Sequence, residues 1–154
     1  MMATRNPREG SLLRISLGDG TDAFARVLPN SQVAIYAHRA SHADVVSPVI
    51  FDSKILWKLT VTKSALVSGR WPVVDCRPLE SELVSPVDYF IKDRLTGRYS
   101  VYRSADGRIR ESSLEECKAL EAAAAWEAEH VEDRIRDYFA GRPNVWAEQL
   151  RAGP

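Results

Sequence analysis

Cysteine, histidine and methionine are scarce in this chain of 154 residues: two cysteines, three histidines and two methionines. Two cysteines, Cys76 and Cys117, are too few for a disulfide framework, and both sit in apolar surroundings that suit buried thiols. His38 and His42 form an H-x3-H pair with Asp44 nearby. The spacing would serve a metal on a helix, but here it falls at the end of a strand and in a loop. No metal and no cofactor are expected. There is no run of apolar residues long enough to cross a membrane, so no membrane partner is expected. The opening MMATRNPREGS has no apolar h-region, so no signal peptide is expected; Met1–Arg8 reads as a frayed end and cytoplasm as the location.

Catalytic patterns are also missing. Ser68-Gly69 lacks the G-x-S-x-G frame of a nucleophile elbow. Gly18 and Gly20 form a G-x-G in a strand-to-strand turn, not in the strand-to-helix turn that cradles phosphate. His130, in E-H-V-E-D, does not follow the H-E-x-x-H order and reads as a helix-surface histidine. No catalytic residue is assigned, and the chain is not read as an enzyme. Net charge is zero, which disfavours a general nucleic-acid binder. Arg94, Arg98, Arg103, Arg108 and Arg110 do gather in one hairpin region with Tyr99 and Tyr102, but Asp88, Asp93, Asp106 and Glu111 dilute them.

What is present is a β-rich body followed by helices. Leu12–Leu17, Phe24–Leu28 and Gln32–His38 alternate as strands joined by Gly18-Asp19-Gly20 and Pro29-Asn30 turns, a meander that opens a bent sheet or small barrel. Arg39–Pro48 reads as a polar loop. Ile55–Val61 has the clearest strand alternation, Lys63–Val67 fits a helical turn, and Arg70-Trp71-Pro72-Val73-Val74 feeds a strand. Pro78–Pro86 is a connector. Tyr89–Lys92 and Arg98–Arg103 pair around Thr96-Gly97, and Asp106-Gly107 turns the chain once more.

Ser113 and Glu116 form a capping box, so a helix is predicted to begin at Leu114. The alanines Ala122–Ala125 suit a helix, Trp126 marks a bend between two helical pieces, and Gly141-Arg142-Pro143 stops the second, with a short last helix to Leu150. Strands first and helices last predict an α+β fold in one domain, residues 1–154, with a β-rich body over 10–111 and a helical cap over 113–151. The predicted core is Leu13, Ile15, Val27, Ile35, Trp57, Leu59, Trp71, Val73, Leu120 and Ile135.

Charge is uneven. From residue 113 onward nine acidic residues face five basic ones. Glu129, Glu132, Asp133 and Asp137 are spaced as one helical stripe, extended by Glu115 and Glu121, and this is the candidate partner-binding surface.

Three segments resemble the immunity protein 26 family of bacterial polymorphic toxin systems. They are G-S-L-L-R-I-S-L-G-D-G-T-D-A-F-A-R-V-L (Gly10–Leu28), S-G-R-W-P-V-V (Ser68–Val74), and Leu114–Trp146, with Glu116-Cys117, Leu120-Glu121, Trp126, His130-Val131 and Arg134 at the family's spacing. The resemblance implies a cytosolic protein that binds and neutralises a cognate toxin domain, without catalysis. Many such toxins are basic nucleases, which an acidic face would suit. The alternative is a small-barrel module that binds a peptide or nucleic acid through its sheet.

Overall fold

The computed structural model describes residues 6–153; most of the expected frayed end, Met1–Arg8, lies outside them. The chain folds as an α+β protein with two open sheets. β1 (Ser11–Ser16), β2 (Thr21–Leu28), β3 (Gln32–Ser41) and β4 (Ile55–Val61) form the expected meander, with a 3-10 turn at Pro48–Asp52 before β4. Helix α1 (Lys63–Val67) leads into β5 (Val73–Cys76), and α2 (Ser81–Val84) crosses to the second sheet. That sheet holds β6 (Asp88–Lys92), β7 (Tyr99–Arg103) and β8 (Ile109–Ser112). The segments α3 (Leu114–Cys117), β9 (Glu121–Ala122), β10 (Ala125–Trp126), α4 (Ala128–Ala140) and α5 (Val145–Leu150) complete the chain.

The strand orders are β10-β4-β3-β2-β1-β5 and β8-β7-β6-β9. The edges β10 and β5 of the larger sheet do not pair, so the sheet stays open and does not close into a small barrel. β3 also runs three residues past the predicted end, into what was expected to be loop.

Successive strand residues face opposite sides, and here both sides are covered. Leu13, Ile15, Val27, Val33, Ile35 and Leu59 face α4, where Val131 and Ile135 meet them and Trp71 fills the space between. Leu12, Phe24 and Tyr36 face the other way, onto Ile50 from the 3-10 turn. Of the predicted core, Leu13, Ile15, Val27, Ile35, Leu59, Trp71 and Ile135 are buried, while Trp57 and Val73 pack at its margin. Leu120 belongs to a separate cluster under the second sheet, with Phe90, Val101 and Cys117. Cys76 is only half-buried.

The helical reading of 114–126 is corrected. Only the N-cap half of the predicted capping box forms, with the Ser113 hydroxyl accepting the Glu116 amide while the Glu116 carboxylate goes to Arg110 and Ser112, and α3 lasts four residues. The alanine run is extended. Glu121 and Ala122 pair in parallel with Tyr89 and Phe90 of β6, and Ala125 and Trp126 pair in parallel with Thr60 and Val61 of β4. Six consecutive residues therefore join both sheets. Propensity favours a helix over four alanines, but the unmet backbone groups on the edges of β4 and β6 outweigh it once the sheets exist. Trp126 thus lies in a strand, not at a bend joining two helical pieces end to end. α4 ends as predicted, at Gly141, whose φ of 70° lets its amide reach the carbonyls of Asp137 and Tyr138.

Candidate functional site

The acidic residues singled out in the sequence fall on three elements. Glu115 lies on α3, Glu121 on β9, and Glu129, Glu132, Asp133 and Asp137 on α4. Each has a cation within 4.0 Å.

Glu132 does not face solvent, which corrects its place on the stripe. Its side chain is 7% exposed and accepts Arg70 Nε at 2.7 Å and Nη2 at 2.8 Å, a bidentate pair. The same carboxylate accepts the Trp71 indole N–H at 2.9 Å. Hydrogen bonding to Glu132 holds the Arg70 guanidinium more firmly protonated than usual. Arg70 also lies 3.4 Å from Glu129. The Arg70-Trp71 step therefore clamps the middle of α4 near the start of β5, and Glu132 joins Val131 and Ile135 among the buried residues of the helix.

Glu121 is likewise held from within. Arg134, nearly buried, gives it two hydrogen bonds of 2.8 and 3.0 Å. The same guanidinium lies over the rings of Trp57 (4.1 Å) and Trp126 (5.0 Å), an arrangement in which the cation meets the negative faces of both indoles.

Asp133 and Asp137 receive the last helix of the chain itself. Trp146 donates its indole N–H to Asp133 at 3.1 Å, and its ring stacks on His130 with centroids 3.8 Å apart. Burial pushes the Asp133 carboxyl up, but hydrogen bonds from Arg136 and Trp146 outweigh it and hold the pKa below the ordinary value. Asn144 donates to Asp137 at 2.9 Å while its carbonyl oxygen caps α5 by accepting the Ala147 amide. Arg142 adds a 3.1 Å ion pair to Asp137. His130 is therefore a packed histidine. Glu115, 80% exposed, pairs with Lys118, and Glu129 remains 60% exposed.

The stripe thus divides. Glu121 and Glu132 fasten the helical cap to the sheets, Asp133 and Asp137 seat α5, and Glu115 and Glu129 present most of their carboxylates to solvent. The arginines that answer them gave a weak sequence signal, because an arginine beside a tryptophan or an acid fits many surfaces.

The basic hairpin has the opposite character. Arg98, Arg103, Arg108 and Arg110 pair with Glu111, Asp88, Asp106 and Glu116. Each of these four arginines thus has a carboxylate within 4.0 Å. His38 packs beside Phe24, and His42 pairs with the buried Asp22 at 2.9 Å. Among the described residues no group of three His, Cys, Asp or Glu side chains is placed to hold a metal ion. Among them, too, no helix is long and apolar enough to cross a membrane.

One buried charge escaped the sequence reading altogether. Arg26 is fully buried, and each of its donor groups is engaged. Nε reaches the Gly10 carbonyl at 3.0 Å, Nη1 the Tyr36 hydroxyl and the Glu80 carboxylate, and Nη2 the carbonyls of Arg77 and Pro78. A β-carbon at Gly10 would collide with the Arg77 carbonyl oxygen, so glycine is required where these segments meet. The only hint in the sequence was a charged residue inside the apolar run F-A-R-V-L.

Comparison with curated proteins and with solved structures gives no match. The family model described as immunity protein 26 matches residues 8–101, from the approach to β1 to the middle of β7. That span contains Gly10, Arg26, Arg70 and Trp71 and covers more than half of the sequence, and the chain belongs to the immunity protein 26 family.

Proposed function

We propose that this protein binds and neutralises a cognate toxin domain, and that it does so by occupying the toxin's surface without catalysing a reaction. The family match over residues 8–101 carries this reading. A fold tied together by ion pairs that each have one buried member supports it, since a rigid inhibitor loses little entropy on capture.

The proposed contact set is the acidic one, with its members in different roles. Glu115 and Glu129 meet the toxin directly. Asp133 and Asp137 contribute the carboxylate edges left exposed beside α5. Glu121 and Glu132 position the face from behind. A basic toxin domain fits such a surface, and a nuclease is the class that best supplies one, because an enzyme that handles phosphate carries a basic groove. Internal pairing reduces the negative field, so electrostatics here serve register and association rate more than affinity.

The test begins with co-expression beside the neighbouring toxin gene, followed by co-purification and a survival assay. The pair Glu115→Lys and Glu129→Lys then probes the face. Both sites are exposed, so the variant is expected to fold, to associate more slowly at low salt, and to lose much of the salt dependence. Association at the wild-type rate at both salts would remove this face from the interface. No complex with the wild type would sink the immunity reading itself.

A further inference from the structure

The smaller sheet has an opening that the acidic face does not use. β9 pairs with β6 only at Tyr89–Glu121 and Phe90–Ala122, whereas β6 goes on to pair with β7 at Ile91–Ser100 and Lys92–Tyr99. The Ala123 amide makes the last bond across, to the Phe90 carbonyl at 2.8 Å, and the Ala124 amide then turns back onto Ala122. Backbone groups of alternate strand residues point to the same edge. Phe90 faces β9, and the Asp93 amide faces β7, where it meets the Arg98 carbonyl at 2.9 Å. The amide and carbonyl of Lys92 therefore point to the side on which β9 has already ended.

A wedge of about 820 Å³ lies there, between the end of β6, Ala122–Ala124 and the end of α5. Its alanine wall carries nothing beyond Cβ, so a second backbone can come close. Its charge is mostly positive. Lys92, Arg94 and Arg151 line it, together with Asp93. The Asp93 carboxylate accepts the Thr96 and Leu95 amides of its own turn, which hold its pKa below the ordinary value and keep it ionised, so it offsets one of the three cations. Lys92 Nζ donates to the Gly153 carbonyl, and Arg151 has Glu148 at 3.6 Å. Arg94 has no ion pair among the described residues, unlike the other arginines of its hairpin.

We propose that this wedge receives an extended, acidic segment of the toxin partner as an added strand beside β6. The proposal rests on the immunity reading and names a second place where the toxin is held. The free end of the β6 edge offers the N–H and C=O of Lys92, a donor and an acceptor that a single peptide backbone can satisfy together. A phosphate backbone can answer only the donors. Acidic side chains on the added strand lie near Arg94 and Arg151, and this sets both its sign and its register.

The test uses the full chain and the toxin domain encoded beside it, with amide hydrogen exchange as readout. The Lys92 amide is expected to exchange at least about tenfold more slowly in the complex than in the free protein. The double variant Arg94→Glu with Arg151→Glu is expected to fold as the wild type and to bind about tenfold more weakly at low salt. Lys92→Pro removes the outward amide and is tolerated at an edge; it is expected to weaken binding too. If that proline variant fails to fold, exchange and the charge variant still decide. A complex in which residues 91–94 exchange unchanged and the double variant binds normally would overturn the wedge and leave the immunity function standing. Binding of a ten-residue oligothymidylate to the free protein, lost in the double variant, would overturn it in favour of nucleic acid. A wild-type protein that forms no complex with the toxin domain removes both readings together.

Discussion

The indole N–H of Trp71 donates to Glu132 at 2.9 Å, joining the entrance of β5 to the middle of α4. Trp71 is 1% exposed and sits in the main core. Trp71→Ala is expected to cost on the order of 3–5 kcal/mol, as truncation of a buried large aromatic does. Trp71→Phe keeps most of the apolar volume and loses the donor, for a cost of about 1–3 kcal/mol. Urea melts of the two variants separate the terms. A Trp71→Phe protein as unstable as Trp71→Ala would show that the hydrogen bond, not the ring, dominates.

Arg26 predicts an asymmetry. Arg26→Met strands the Gly10, Arg77 and Pro78 carbonyls and the Tyr36 hydroxyl, for a cost of roughly 3–5 kcal/mol. Glu80→Gln keeps an acceptor for Arg26 on a side chain 43% exposed and open to water, so it is expected to cost less than Arg26→Met although it removes the counter-charge of a buried guanidinium. Equal losses in chemical denaturation would contradict the view that the carbonyls, rather than the carboxylate, are what Arg26 serves.

Glu116 ties α3 to β8. Hydrogen bonds from Arg110 and then Ser112 lower its pKa from 4.5 to about 2. The folded state therefore gives up this proton more readily than the unfolded state. The stability it contributes is complete above pH 4.5 and is lost as pH falls from there toward about 2. Carboxyl NMR titration is expected to place the Glu116 midpoint near 2, and to move it toward 4.5 in Arg110→Ala. An unmoved midpoint would mean that Arg110 is not the cause.

Asn144 has two tasks, capping α5 through Ala147 and holding Asp137. Asn144→Ala is expected to destabilise by about 1 kcal/mol, the usual cost of a lost N-cap. Asn144→Ser restores the cap but cannot span to Asp137 in the same way. Exchange of the α5 amides should accelerate in the alanine variant and recover in part with serine.

The strands were legible because each shows its own alternation. Ile55–Val61 and Gln32 onward could be placed without knowing their neighbours. The Gly141 stop and the last helix were equally local. Residues 121–126 were not legible, since four alanines carry no periodicity and their conformation is set by strand edges far away in sequence. The acidic stripe was half legible. Its helical spacing held for Glu129, Asp133 and Asp137, but Glu132 turned inward because Arg70, 62 residues away, supplies its counter-charge. Arg26 was hidden for the same reason. Three of its five acceptor groups lie on Arg77, Pro78 and Glu80, more than 50 residues distant.

The short strand at Ala125–Trp126 has a consequence for how the protein is made. β4 receives its outer neighbour from residues more than sixty positions later in the chain, and β6 waits for β9 in the same stretch. Contacts of such high sequence separation form slowly, because loop closure precedes any gain from pairing. A nascent chain that has emerged only as far as residue 101 has the whole family-matched segment but neither of these seams. Synthesis must pass Trp126 before both sheets are locked together. A chain that stops short of residue 121 therefore leaves the outer edges of β4 and β6 without their parallel neighbours, however complete the meander before it.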